Sequence, residues 1–250
     1  MERWKGRVAV VTGASSTIGS VIVKDLINAG LIVVAVARRV DRIKSLRQTL
    51  IREKQQRLHY LTLDVTKEQD VNFSFNWMIK MFGGVDILIN GAGIFPTGPY
   101  LSNMKGEPIR RTIDINIVGV ITCIRKAFES MKSRNVDGHI ILMNSVCGHY
   151  VPIMPKNHSY NIYPPTKHAI TAIAEIYRQE FPLMGTKIKI TSITPGLTDA
   201  EIIKDKKEKG EKIQPLLQAQ DISNSILYAL STPPKVHINE IVLRPLGEKF

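Results

Sequence analysis

Cysteine is scarce in this chain: two in 250 residues. Cys123 and Cys147 lie far apart, with neither metal-binding nor redox spacing, so no disulfide framework and no metal site are implied. No apolar run reaches the length needed to cross a bilayer. The opening Met1-Glu2-Arg3-Trp4-Lys5-Gly6 has no apolar signal core before the first strand. Internal repeats and low-complexity linkers are missing too. These absences point to a cytoplasmic protein without stable membrane insertion. The length suits one domain over 1–250, with enough chain to bury a core.

Acidic residues are the scarcer charge, 22 against 34 lysines and arginines, for a net charge of +12. Nucleic acid is the first partner such a charge suggests. The lysines are dispersed, however, except in 204–212, which mixes signs and reads as a solvated loop or helix face. No nucleic-acid motif accompanies it, so no nucleic-acid partner is expected. A basic surface also helps recruit an anionic cofactor.

Apolar runs at 7–12, 31–37, 57–63, 85–89, 139–143, 187–193 and 240–243 read as strands. Helical patterns fall between them, at about 41–53, 67–82, 107–134, 161–184 and 219–230. This alternation predicts a single-domain, Rossmann-type, doubly wound α/β fold: a parallel sheet with helices on both faces. Ligands of such folds bind at the carboxyl ends of strands. Thr12, Ala37, Asp64, Asn90, Ser145 and Pro195 all fall at or just past those ends.

The first strand runs into Gly13-Ala14-Ser15-Ser16-Thr17-Ile18-Gly19 and then a helix that stops at Gly30. Such a turn lets backbone N–H groups approach a pyrophosphate at a helix N-terminus. The spacing is not G-x-G-x-x-G, and an ordinary β-α turn is the plain alternative. At the end of the second strand, where an NAD-binding fold places an acid, stand Arg38 and Arg39; the first acid is Asp41. An arginine fork pairs with a ribose 2′-phosphate that a carboxylate would repel, which favours NADP(H) over NAD. Solvated surface charge is the plainer alternative for both arginines.

Of seven tyrosines, only Tyr163 has a lysine four residues later, Lys167. Residues four apart share a helix face. A fixed ammonium beside a phenol favours the phenolate, so the pair is a candidate proton donor and acceptor at neutral pH. Pro164 and Pro165 are tolerable only in a first helical turn, which places Tyr163 at the helix start.

Taken in order, these segments resemble the short-chain dehydrogenase/reductase family over about residues 7–247. Thr12-Gly13-Ala14-Ser15-Ser16-Thr17-Ile18-Gly19 looks like its T-G-x-x-x-G-I-G loop, Asp64-Val65 like its adenine-binding pair, and Asn90-Gly91-Ala92-Gly93 like N-N-A-G. Asn116 and Ser145 match its catalytic asparagine and serine, Tyr163 and Lys167 its Y-x-x-x-K, and Pro195-Gly196 the P-G after its sixth strand. Arg38-Arg39, the segment around Tyr163 and the ending Leu243-Arg244-Pro245-Leu246-Gly247 are similar to the insect farnesol-oxidising branch of that family. The resemblance implies an NADP(H)-dependent oxidoreductase for apolar alcohols or carbonyls, with Tyr163 as acid and base. Ser145 would bond the reacting oxygen. Lys167 would hold the nicotinamide ribose, and Asn116 would support a proton-returning water chain. The implied cofactor residues are Gly13, Ser15, Ser16, Thr17, Ile18, Gly19, Arg38, Arg39, Asp64, Val65, Asn90, Ala92, Gly93, Tyr163, Lys167, Pro195, Gly196 and Thr198. It also implies a homodimer or homotetramer, formed through 107–134 and 161–184. A ketosteroid or general carbonyl reductase, and a non-catalytic cofactor-bound protein, are the competing readings.

Four departures from the family pattern stand out. Thr17 replaces a loop glycine, and Gly91 replaces an asparagine. Ala200 stands where a threonine is usual, with Thr198 two residues earlier. The spacing from Ser145 to Tyr163 is eighteen, a few more than is typical. The segment 149–162, with His149, Pro152, Ile153, Met154, Pro155 and His158, is expected to form one substrate wall. The segment 197–218 is expected to form the other, with Ile202, Ile203, Ile213, Leu216 and Leu217 either facing an apolar ligand or anchoring the helix.

Overall fold

A computed structural model describes residues 1–96, 99–153, 159–199 and 215–248. Seven parallel strands form one sheet in the order β3-β2-β1-β4-β5-β6-β7. They are β1 (Val8–Thr12), β2 (Ile32–Ala37), β3 (Leu58–Thr62), β4 (Ile87–Asn90), β5 (His139–Met143), β6 (Lys189–Pro195) and β7 (Glu240–Leu243). The helices are α1 (Thr17–Asn28), α2 (Val40–Thr49), α3 (Arg52–Gln55), α4 (Glu68–Phe82), α5 (Gly106–Ile113), α6 (Gly119–Ser133), α7 (Tyr163–Leu183) and α8 (Ala219–Ser231).

Side chains alternate across the pleat, so successive strand residues supply two different cores. Ala9, Val11, Val33 and Ala35 pack with Ile22 and Leu26 of α1, Ile43 of α2 and Ile226 of α8. Val8, Val10, Val34 and Val36 face the other way, onto Phe75 of α4, Ile124 of α6 and Phe181 of α7. Burial on both faces is why these strands read as unbroken apolar runs. Cys123 lies in the second core, where burial pushes its thiol up to about 12.

Two expected helices differ from the sequence pattern. The run at 41–53 splits into α2 and α3, because Leu50 and Ile51 are extended. The run at 107–134 holds a π-helical turn, Asp114–Val118, between α5 and α6. Among the described residues no helix is long and apolar enough to cross a membrane, and no metal-ligand cluster is present.

Candidate active site

The strand order reverses between β1 and β4, and their carboxyl ends carry the first part of the site. The Thr12 hydroxyl accepts from the N–H groups of Gly91 and Ala92, both at 3.0 Å, and donates to Asn90 Oδ1 at 3.2 Å. Asn90 in turn donates to the Val120 carbonyl at 2.9 Å. The turn that carries Gly91 is therefore tied down by Thr12. Gly13 passes directly over it, and a Cβ there would stand 2.5 Å from the Gly91 carbonyl.

Ser16 caps α1, accepting from the Gly19 N–H at 3.0 Å and donating to the Gly13 carbonyl at 2.9 Å. A Cβ on Gly19 would run into the Gly13 carbonyl. Thr17 opens the helix and is exposed. Small residues thus leave bare backbone at the N-terminus of a 12-residue helix, with Ser15 and Ile18 half-buried beside it. That surface fits a pyrophosphate.

Next to it lies a cavity of about 690 Å³, lined by Arg38, Asp64, Thr66, Glu107, Arg110 and Ile115 among others. Burial pushes the Asp64 carboxyl up. Hydrogen bonds from the Thr66 N–H and hydroxyl, then the charges of Arg38 and Lys67, outweigh that and leave it below the usual carboxylate range. Val65 is buried below, and Gly119 lets α6 approach it: a Cβ there would lie 2.8 Å from Val65 Cγ2. A cavity with an arginine beside an ionised aspartate suits the adenosine end of NADP(H). Arg39 is exposed at the same strand end.

The remaining residues gather at the ends of β5 and β6. Asn116 sits in the π-helical turn, 2% exposed. Such turns are frequent at functional sites. Its Oδ1 accepts from the Ile94 N–H at 2.9 Å, and its Nδ2 donates to the Ile94 carbonyl at 2.9 Å and to Thr166 Oγ1 at 3.1 Å. Gly93 packs against the same amide. Ser145 follows β5, and its hydroxyl accepts from the Cys147 N–H at 3.2 Å. Tyr163 and Pro164 begin α7, as the proline rule requires. Ser145 lies close enough to Tyr163 to act on its hydroxyl, opposing the rise that burial causes.

One sequence expectation is corrected here. Lys167 does not draw the Tyr163 hydroxyl down in this structure. Its ammonium donates to the Met143 carbonyl at 2.7 Å and lies 5.6 Å from the centre of the Tyr163 ring. Burial raises the Tyr163 hydroxyl above its ordinary range and the Cys147 thiol adds to this, while Ser145 opposes. Burial also pushes Lys167 down, to about 8.

Pro195 ends β6, and the Gly196 N–H donates to the Leu243 carbonyl at 2.7 Å. The Thr198 hydroxyl donates to the Gly196 carbonyl at 3.0 Å instead of reaching outward. Thr198 pairs with Leu217 as a bridge, closing the base of the 197–218 segment. Leu217 is buried in the core rather than lining a wall. Ala200, Ile202, Ile203 and Ile213 lie outside the described residues, as do Met154, Pro155 and His158. His149 Nε2 is 2.8 Å from Glu240 Oε1, which explains it without a substrate.

Sequence reasoning missed three neighbours of Tyr163. The Phe95 ring meets Tyr163 edge-on at 4.7 Å, with Tyr160 6.1 Å from Phe95. Thr166 joins Asn116 to α7. Thr166 was findable, one helical turn from Tyr163 on the same helix; Phe95 sits in a loop with no periodic signal.

Comparison with known proteins gives a consistent result. The family described as short chain dehydrogenase matches residues 7–211. A farnesol dehydrogenase of Aedes aegypti is 47% identical over 250 residues, covering all of both chains. Dehydrogenase/reductase SDR family member 11 of Gallus gallus is 39% identical over 258 residues, covering 98% of each. Among solved structures, an alcohol dehydrogenase from the archaeon Thermococcus sibiricus, complexed with 5-hydroxy-NADP, superposes with a TM-score of 0.82 at 25% identity. That match covers 98% of this chain and 99% of the other.

Proposed function

This chain belongs to the short-chain dehydrogenase family, and from that premise we propose that it moves a hydride between NADP(H) and an apolar alcohol or carbonyl of the farnesol/farnesal type. The observation that carries the reading is the grouping of Ser145, Tyr163 and Lys167 at the end of β5, beside the bare backbone of Gly13 and Gly19. The name of the Aedes aegypti relative and the cofactor in the archaeal structure support it.

NADP(H), when bound, supplies or takes up the hydride. Ser15, Thr17 and Ile18 would offer helix-end N–H groups to its pyrophosphate, with Ser16 and Gly19 shaping the turn that presents them. Arg38 and Arg39 would grip the 2′-phosphate, and Asp64 and Val65 the adenine. The tie of Asn90, Gly91 and Ala92 to Thr12 keeps the crevice open. Gly93, Pro195, Gly196 and Thr198 would border the nicotinamide end. At the reacting oxygen, Tyr163 gives a proton in reduction and takes one in oxidation. Ser145 hydrogen-bonds that oxygen and steadies its developing charge. Lys167 restores the Tyr163 proton, and Asn116 fixes the backbone of Ile94 beside it. The same proposal has a cytoplasmic homodimer or homotetramer.

The test is NADPH consumption against farnesal, retinal, ketosteroids and a small diketone, with NADH and Tyr163→Phe in parallel. Turnover that prefers NADPH and vanishes in Tyr163→Phe is the expected result. Turnover that survives Tyr163→Phe removes the acid–base assignment. NADPH binding without any turnover makes the chain a non-catalytic, cofactor-bound protein. Strongest turnover on a ketosteroid or the diketone moves the substrate to the general carbonyl reductases.

A further inference from the structure

The turn after β6 is held from the far side of the sheet edge. Beyond β7 the chain folds back in a turn over 245–248, closed by the Glu248 N–H donating to the Pro245 carbonyl at 3.1 Å. Its third residue, Gly247, has φ of +85°, the conformation such a turn demands of that position. The turn lays Glu248 over the end of β6, where its side chain is 1% exposed. Oε1 accepts from the Leu197 N–H at 2.9 Å. Oε2 lies 3.8 Å from Arg244 Nε and has no hydrogen-bond partner. Gly196 makes the approach possible, since a Cβ there would stand 2.7 Å from Oε2. Arg244 lies over the Tyr150 ring, 4.9 Å from its centre.

These contacts run from Leu197 through Glu248 and Arg244 to Tyr150, joining the turn after β6 to the segment after Ser145. Burial raises the hydroxyls of Tyr150 and Tyr160, and the Glu248 charge adds to both. A buried carboxylate is costly unless it is paired, so a side chain that only anchored the chain would be better apolar.

We infer that Glu248 is a positioning residue of the active site: it fixes the 195–197 turn through the Leu197 N–H and thereby sets the affinity for the nicotinamide cofactor. The inference rests on the reading that the ends of β5 and β6 border the nicotinamide. Glu248 itself touches no reacting atom.

The test uses the full chain with Glu248→Ala and Glu248→Gln, titrated with NADPH and with NADH by nicotinamide fluorescence, beside cofactor-free melting curves. Glu248→Ala is expected to weaken the bound cofactor by about tenfold. Glu248→Gln, whose amide oxygen accepts the same N–H, restores most of that loss. Unchanged affinity with a lowered melting temperature overturns the inference, leaving Glu248 an anchor only. Tighter binding in Glu248→Ala overturns it as well, because the carboxylate then competes with the cofactor for Leu197. Equal losses in both variants rule out the hydrogen bond as the cause. The wild-type preference between NADPH and NADH tests the proposed cofactor separately, so the two ideas fail in different ways.

Discussion

Lys167 and Met143 are joined by a 2.7 Å hydrogen bond from ammonium to carbonyl, with the same ammonium 5.6 Å from the centre of the Tyr163 ring. With the lysine at about 8, its charge changes within the working range. In the proposed mechanism, reduction needs the protonated form to replenish Tyr163. We expect kcat/KM for reduction to fall as pH rises through about 8, and oxidation to gain over the same interval. Lys167→Arg stays charged and should remove that limb. The sign for stability is separate. Between about 8 and 10.5 the unfolded lysine binds a proton that the folded one has lost, so this group adds stability as pH rises across that window. Rate profiles and melts from pH 6 to about 10 check both.

Arg38 lines the cavity beside Asp64, and both stand at strand ends. Arg38→Asp puts a carboxylate where the 2′-phosphate would sit. The expected result is an NADPH affinity at least about tenfold weaker, with NADH far less affected, since a charge-assisted pair is lost and a repulsion gained. Arg39→Asp is measured alongside. An NADPH:NADH ratio unchanged in both variants would falsify the 2′-phosphate assignment.

Asn116 satisfies both backbone groups of Ile94, and the adjacent Phe95 packs on Tyr163. Asn116→Ala leaves those groups unpaired, at a cost of about 2 kcal/mol in stability. Its larger effect should fall on kcat, because the Phe95–Tyr163 contact loses its support, while NADPH affinity stays near wild type. Denaturant melts and a kcat-against-Kd comparison separate the two effects.

At the opposite end of the sheet, Thr191 Oγ1 donates to the Ile238 carbonyl at 2.6 Å, so it accepts from His139 Nε2 at 2.8 Å. His139 Nδ1 is buried without a partner. Burial first, then the charges of Lys189, His237 and Arg3, push this histidine down to about 3. The unfolded chain binds a proton below the ordinary histidine value of 6.5 that the folded chain refuses. The contribution of this group to stability should therefore be flat above that pH and fall toward about 3, with a slope of up to about 1.4 kcal/mol per pH unit. His139→Leu should remove most of that slope in urea melts at successive pH values.

What could be read from the sequence follows from range. Tyr163 and Lys167 are four apart on one helix, and Gly13 to Gly19 is one continuous turn, so local spacing exposes both. The strands were legible because burial on two faces leaves an uninterrupted apolar run. Glu248 meets Leu197 across 51 positions and His139 meets Thr191 across 52, and no local pattern marks such pairs. The lowered tyrosine is expected from the Tyr163–Lys167 spacing, but burial, with the Cys147 thiol adding to it, raises that hydroxyl instead.

The polar cluster of His139, Thr191 and Lys189 lies at the amino ends of β5 and β6, while Ser145 and Gly196 lie past their carboxyl ends. Six residues of extended chain from His139 to Ser145 span roughly 20 Å. Substitutions that far apart, with no shared partner, combine additively to within about 0.5 kcal/mol. The two rims of this sheet can therefore drift independently: the amino rim can be re-engineered for acid or heat tolerance while the opposite rim is remodelled for a new substrate.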